Sequence, residues 1–380
     1  MNIAIVHDYL REYGGAERVV ETFHEMWPDA PVYTAFVDWK SLGKHASRFR
    51  GWDIRTSWVQ KHWFIKKFIS PLRFLTPWIW PTFDFSGYDV VLTSSGWFIP
   101  RGIVVKKPTV HVCYIHHPPR NLYGYSTGSD LQKYWPVRLY AIFINFFLRK
   151  YDFKTAQTVD YFIANSKETA RRVTKFYRRE SIVIYPPIDT KVNKQKTINK
   201  KSLLFNDFCP DQYYLSVGRL SWMKRTDLVI EACNALNFPL VIVGTGKEEE
   251  SLKAIAGSTI QFKGSVSDEE LDTLYAGAKA LIFSALDEDF GMVPVEAMAH
   301  GVPVIALSQG GVKETVIEGK TGVFFDIPEQ EALIKAIKHF ETLSKKHDWT
   351  KACREQAEKF DKKVFKESIR KFIEEKYGEV

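Results

Sequence analysis

Cysteine is scarce and unpatterned. The 380 residues hold four, Cys113, Cys209, Cys233 and Cys353, with no paired spacing. That argues against a disulfide framework or a cysteine zinc site and fits a reducing compartment, so a cytoplasmic protein is expected. Long apolar runs are missing too. None approaches the ~20 residues needed to span a bilayer, and the longest candidate, residues 139–148, is about half that and includes Asn145. Residues 1–7 lead straight into a short apolar strand followed by Asp8, without the pattern of a signal peptide. No internal repeat or low-complexity tract stands out.

What is present is ordinary in bulk and uneven in charge. Hydrophobic residues make up 45% and charged residues 26%, as in soluble globular proteins, and the length suits two domains. The net charge is +8. Residues 1–187 carry 26 Lys+Arg against 15 Asp+Glu, a balance of +11, while residues 188–380 carry 27 against 30, a balance of −3. The N-terminal half therefore meets something anionic, nucleic acid or an anionic membrane surface. No zinc-finger, oligonucleotide-binding or aromatic ribonucleoprotein pattern accompanies the basic half, so no nucleic-acid partner is expected. Residues 54–83 hold Arg55, Lys61, Lys66, Lys67 and Arg73 with no acidic residue. Eight aromatics are interleaved: Trp58, Trp63, Phe64, Phe68, Phe74, Trp78, Trp80 and Phe83. That composition suits a monotopic membrane interface; the alternative is aromatics packed in the core with cations facing water.

Apolar runs at residues 2–7, 90–93, 110–115, 161–164 and 182–185 read as strands, and Gly14-Gly15 opens a helix through about Met26. Pro186-Pro187 breaks the chain, and residues 189–201 read as a polar linker. Beyond it, strands at 213–217, 240–243, 259–262, 280–283, 302–306 and 322–325 alternate with helical patterns at 226–236, 268–276 and 329–340. Such alternation means parallel sheets covered on both faces. The expected fold class is α/β with two Rossmann-like domains: residues 1–187, then residues 188–359.

The densest chemical signal lies between two of those strands. An acidic loop, Asp287-Glu288-Asp289, precedes Phe290-Gly291 and a helix-like stretch from Met292 to His300. Glu288 thus falls in the loop at a strand's C-terminal end and Glu296 in the helix that follows. In an open parallel sheet that edge binds ligands, and helix N-termini there attract phosphates.

With its flanking Phe290-Gly291 and Glu296-Ala297-Met298-Ala299-His300-Gly301-Val302-Pro303-Val304-Ile305, this segment resembles the E-x7-E motif of retaining family-4 glycosyltransferases. Ser216-Val217-Gly218-Arg219-Leu220 with Lys224, five positions after Arg219, resembles the family's Gly-Arg-Leu…Lys element. The resemblance runs over nearly the whole chain. It implies a B-type fold, with the two sheets facing a central cleft and the last helix, in residues 360–380, crossing back onto the first domain. It implies a nucleotide-diphosphate-sugar donor and no required metal, and no His-x-Glu or Asp-x-Asp signature of a metal-dependent transferase occurs.

The resemblance also implies roles. Glu296 would hold the ribose hydroxyls, Glu288 the sugar's hydroxyls, and Arg219 and Lys224 the diphosphate. The amides of Phe290, Gly291 and Met292 would lie near sugar and phosphate, and Val266 near the nucleobase. Gly14 and Gly15 would face the donor's phosphates and the acceptor. In Cys113-Tyr114-Ile115-His116-His117-Pro118-Pro119-Arg120, His116 matches the family's histidine near the reacting carbon. Pro119, His117 and the run Asn121-Leu122-Tyr123-Gly124 depart from the family's usual pattern and bear on the acceptor pocket. Gly310-Gly311 reads as a helix start near the donor or as a plain turn. The bacterial branch most resembled includes mannosyltransferases of surface-polysaccharide assembly. That points to guanosine-diphosphate mannose, then uridine-diphosphate glucose, as donor, and to a glycan or lipid-linked acceptor. A sugar-nucleotide-binding protein without catalysis and a same-fold epimerase are the alternative readings.

Overall fold

The computed structural model describes residues 1–125, 134–191 and 212–378. Most of the stretch read as a linker lies outside them, as does Cys209. The described residues fall into two compact units. One is formed by the chain up to Pro187 together with the C-terminal helix Lys362–Gly378, the other by Ile188–Asp361. Both are parallel α/β sheets, as the strand–helix alternation predicts.

In the first unit seven strands pair in parallel: β1 Ile3–His7, β2 Val32–Thr34, β3 Ile54–Thr56, β4 Val90–Ser95, β5 Val110–Ile115, β6 Tyr161–Ala164 and β7 Ile182–Val183. Their order is β3-β2-β1-β4-β5-β6-β7. The alternation along β1 shows why both faces are apolar. Ile3 and Ile5 pack with Val19, Val20 and Phe23 of the helix Gly15–Met26 and with Phe365, Ile369 and Phe372 of the C-terminal helix. Ala4 and Val6 face the other way, into a cluster with Phe36, Ile79, Trp80 and Phe98.

Residues 54–83 are not one surface. Trp80 is fully buried, and Trp58 and Phe83 pack against the core, whereas Trp63, Phe64, Phe68 and Trp78 are exposed on a string of short helical turns. The window is therefore part core and part exposed surface.

The second unit has six parallel strands: β8 Tyr213–Val217, β9 Leu240–Val243, β10 Ile260–Gly264, β11 Ala278–Phe283, β12 Val304–Leu307 and β13 Gly322–Phe325. Their order is β10-β9-β8-β11-β12-β13. Helices Thr226–Leu236 and Gln330–Ser344 pack on each other, as do Met292–Ala299 and Thr350–Glu358. In each sheet the order reverses once, between β1 and β4 and between β8 and β11. Loops leaving the C-terminal ends of neighbouring strands diverge at such a point and leave a crevice between them.

Candidate functional site

Every residue singled out in the second half lies at or near the C-terminal edge of the second sheet. The loop after β8 carries Arg219, which is exposed, and Lys224, which is half-buried. The loop after β11 carries Glu288 and ends at Gly291 (φ 89°), which starts the helix Met292–Ala299 from a left-handed conformation that favours glycine. These two loops flank the switch point and are tied together. Ser284 Oγ donates to the carbonyl of Lys224 at 2.7 Å, Leu286 N–H donates to the carbonyl of Met223 at 2.8 Å, and Lys224 Nζ donates to Glu288 Oε2 at 2.7 Å. The sequence elements assigned to diphosphate and sugar are thus in direct contact as an ion pair.

Glycines let the neighbouring loops close in. A Cβ on Gly244 would fall 1.9 Å from the carbonyl oxygen of Gly218, and one on Gly246 2.0 Å from that of Leu220. A Cβ on Gly310 would fall 2.2 Å from the carbonyl oxygen of Glu288 and one on Gly311 2.2 Å from that of Asp289, and Gly311 N–H donates to the Glu288 carbonyl at 2.9 Å. The pair read as a helix start or a turn is a backbone buttress for the acidic loop. A narrow pocket lined by Gly218, Lys224, Phe283 and Ser284 opens at this edge. Val266, half-buried, follows Gly264 at the end of β10. Phe290 is buried, and Met292 is half-buried at the first turn of its helix.

Glu296 is the fifth residue of its helix and half-buried. Tyr275 Oη donates to its Oε2 at 3.0 Å, and the Tyr275 ring stacks on His300, 5.1 Å between centroids. Sequence reasoning missed Tyr275. Its place at the end of the helix Asp268–Ala276 carries no motif, and only the tertiary contact shows that it orients the carboxylate.

In the first unit the switch point lies between the loops after β1 and β4. Gly14 caps the helix Gly15–Met26, and its N–H donates to Glu17 Oε2 at 2.8 Å. Gly15, one residue on, is exposed. The Gly14 amide is thus already engaged by the Glu17 carboxylate.

A polar chain runs inward from there. Glu17 Oε1 lies 3.4 Å from His7 Nε2, His7 Nδ1 lies 3.1 Å from Ser94 Oγ, and Ser94 Oγ lies 2.8 Å from His116 Nε2. Burial alone would lower the His7 pKa, but the hydrogen bond and charge of Glu17, with Asp8 nearby, outweigh it and leave it raised. Ser94 Oγ thus bridges the two imidazoles, and its hydroxyl can donate to only one of them, so the tautomers of His7 and His116 are coupled through it. Asp8 is buried beside this chain and accepts from the N–H groups of Gly96 and Phe98 at 3.2 and 3.3 Å. Burial pushes its carboxyl up to about 6. None of Ser94, His7 and Asp8 was legible as a site residue. The signal available was polar side chains ending two adjacent apolar strands. His117, by contrast, turns its Nδ1 to the carbonyl of Pro118 at 3.0 Å.

Comparison with known proteins gives these two Rossmann-like units a class. Residues 13–192 match the family model "Glycosyltransferase Family 4" and residues 196–360 match "Glycosyl transferases group 1". Between them the two models account for most of the chain, and they place it among the glycosyltransferases. An uncharacterised glycosyltransferase of Methanocaldococcus jannaschii is 31% identical over 179 residues, 46% of this chain and 48% of that protein. The sulfoquinovosyl transferase SQD2 of Arabidopsis thaliana is 29% identical over 41% of this chain and 32% of its own length. The match thus spans less than half of either relative. Among solved structures, Anabaena HepE in complex with UDP has a TM-score of 0.70 at 17% identity, covering 99% of this chain and 100% of HepE. Sucrose-phosphate synthase from Thermosynechococcus elongatus has a TM-score of 0.73 at 17% identity and covers 100% of both chains. At these identities the structural likeness shows the fold.

Proposed function

We propose that this protein transfers a hexose, with retention of anomeric configuration and without a metal, from a nucleoside-diphosphate sugar to a hydroxyl of a glycan or lipid-linked acceptor. The observation that carries the reading is the Lys224–Glu288 pair. Two loops at the switch point of the second sheet bring a cation and a carboxylate within 2.7 Å, with Arg219 on the same loop as Lys224.

In this reading the bond between the sugar's anomeric carbon and the β-phosphate oxygen breaks as the acceptor oxygen bonds to the same face. The acceptor's proton passes to the leaving phosphate. Arg219 and Lys224 stabilise the charge that grows on the diphosphate, an interaction stronger in the transition state than in the ground state. Lys224 leaves or shares Glu288 to do so, which frees that carboxylate for the sugar's hydroxyls. The Phe290, Gly291 and Met292 amides serve sugar and phosphate, Glu296 the ribose and Val266 the base. His116 takes the family histidine's part at the sugar, and Gly14 and Gly15 that of the phosphate loop. Resemblance favours guanosine-diphosphate mannose as donor and surface-polysaccharide assembly as setting. The UDP complexes of HepE make uridine-diphosphate glucose the competing donor.

A thermal-shift screen of sugar nucleotides tests the donor. A true donor at 100 times its Kd stabilises by ~2.7 kcal/mol. No shift with any guanosine or uridine diphosphate sugar counts against the reading. Activity that is lost in EDTA and restored by manganese contradicts the metal-free mechanism.

A further inference from the structure

The helix Trp135–Gln157 has two apolar stripes, and one of them is left exposed by the described residues. Ala141, Leu148, Asp152 and Ala156 are buried, Leu148 beside Ile99 and Leu122 and Ala156 beside Cys113 and Phe162. Asp152, the helix's one acidic residue, is buried in an ion pair with Arg101 and accepts from Tyr123 at 2.7 Å, which fixes that face inward. On the opposite side Trp135, Leu139, Ile142, Phe143, Phe146 and Phe147 recur at helical spacing. All are solvent-exposed, from 48% for Phe146 to 76% for Trp135. An ordinary surface helix turns polar residues outward there. A contiguous apolar stripe of this size marks an interaction site.

The stripe does not end at the helix. Tyr140 donates to the carbonyl of Pro71, and Arg73 donates to Asn145 Oδ1 at 3.0 Å. These bonds join the helix to the short turns that expose Trp63, Phe64, Phe68 and Trp78. Around this apolar area lie Arg138, Arg149, Lys150 and Lys154 on the helix and Lys61, Lys66 and Lys67 on the turns. Lys150 Nζ sits 4.3 Å from the Phe146 ring centroid, and Lys67 Nζ 5.6 Å from that of Phe68. Neither element presents a carboxylate: residues 54–83 contain none, and Asp152 is buried.

We propose that these two elements form one surface that docks flat on an anionic lipid bilayer. Aromatics flanked by cations match the interface, where rings sit at headgroup depth and cations meet lipid phosphates. Among the described residues no helix is long and apolar enough to cross a membrane, so this helix lies in the interface plane. A second copy of the chain is disfavoured as occupant. A two-fold contact through this face would set seven cations against the same seven. The proposal is independent of the donor chemistry.

The test is co-sedimentation of the full chain with vesicles of phosphatidylcholine, with and without phosphatidylglycerol. Binding is expected only with the anionic lipid and is expected to fall with salt. Replacing Phe143 and Phe147 by Asp should abolish it. Lys61→Glu, Lys66→Glu and Lys67→Glu together should weaken it by about fivefold or more per cation. The lysine set also reads out the proposal should the Asp variant fail to fold, which circular dichroism reports. Equal pelleting with both vesicle types, no pelleting with either, or unchanged binding by both variants overturns the proposal. So does a solution dimer that the Asp variant converts to monomer without any lipid binding.

Discussion

Lys224→Ala separates catalysis from stability sharply. The lysine's backbone is held by Ser284, whose hydroxyl donates to its carbonyl at 2.7 Å, so the loop keeps its course when the side chain is removed. What is lost is the ion pair with Glu288, whose partners are 28% and 21% exposed. A partly exposed pair is worth no more than ~1 kcal/mol of stability. A cation aimed at charge that develops only in the transition state is worth far more, about 2.7–4 kcal/mol, or 10²–10³ in kcat. Lys224→Ala should therefore lower turnover by about a hundredfold or more while barely moving the melting curve. Because Glu288 touches Lys224, the Glu288→Gln and Lys224→Ala losses should be less than additive. The assay is release of nucleoside diphosphate at saturating donor, with kcat and KM resolved. A raised KM with intact kcat would show that the cation only binds. Losses of activity that track losses of melting temperature would show that the pair is merely structural.

Three further outcomes follow from the geometry. Glu296→Ala should weaken nucleoside-diphosphate binding by about 1.5–3 kcal/mol, and Tyr275→Phe, which only releases the carboxylate from its partner, by less; calorimetry decides, and unchanged affinity in Glu296→Ala excludes the ribose contact. Gly244→Ala should cost well over the ~1–2 kcal/mol of left-handed strain and weaken donor binding, because its Cβ meets the Gly218 carbonyl, whereas Gly264→Ala (φ +63°, open space) should cost only the strain. Asp8, pushed up to about 6, holds its proton more tightly in the folded than in the unfolded state, so this one group should contribute a loss of about 3 kcal/mol as pH rises from below 3.8 to above 6. That loss should vanish in Asp8→Asn, measured as the difference in denaturant unfolding across the window, and an identical pH slope in the two proteins would refute it.

The sequence carried the sheets because most residues of their strands are buried: Val110–Ile115, Tyr161–Ala164, Tyr213–Val217 and Leu240–Val243 stand where the apolar runs lie. β2 and β3 escaped because three residues are too few to show a period. The spacing of Glu288 and Glu296 foretold a loop and a helix position. It did not foretell the Lys224 contact, 64 residues away in the chain, or Tyr275 against Glu296. Such pairings depend on strand order, which periodicity does not encode. The split of residues 54–83 and the outward stripe of Trp135–Gln157 escaped for a related reason. Composition shows that a segment is apolar, but not which of its faces the fold covers.

Transfer itself is the most direct test of the central claim. The protein is incubated with guanosine-diphosphate mannose and uridine-diphosphate glucose in the presence of lipid-linked and glycan acceptors, and released nucleoside diphosphate is quantified for wild type and for Glu288→Gln. Acceptor-dependent release by wild type, at least about a hundredfold slower in the variant, is the predicted result. Release that is absent, or equal in the two proteins, would contradict a donor site built on the Lys224–Glu288 pair.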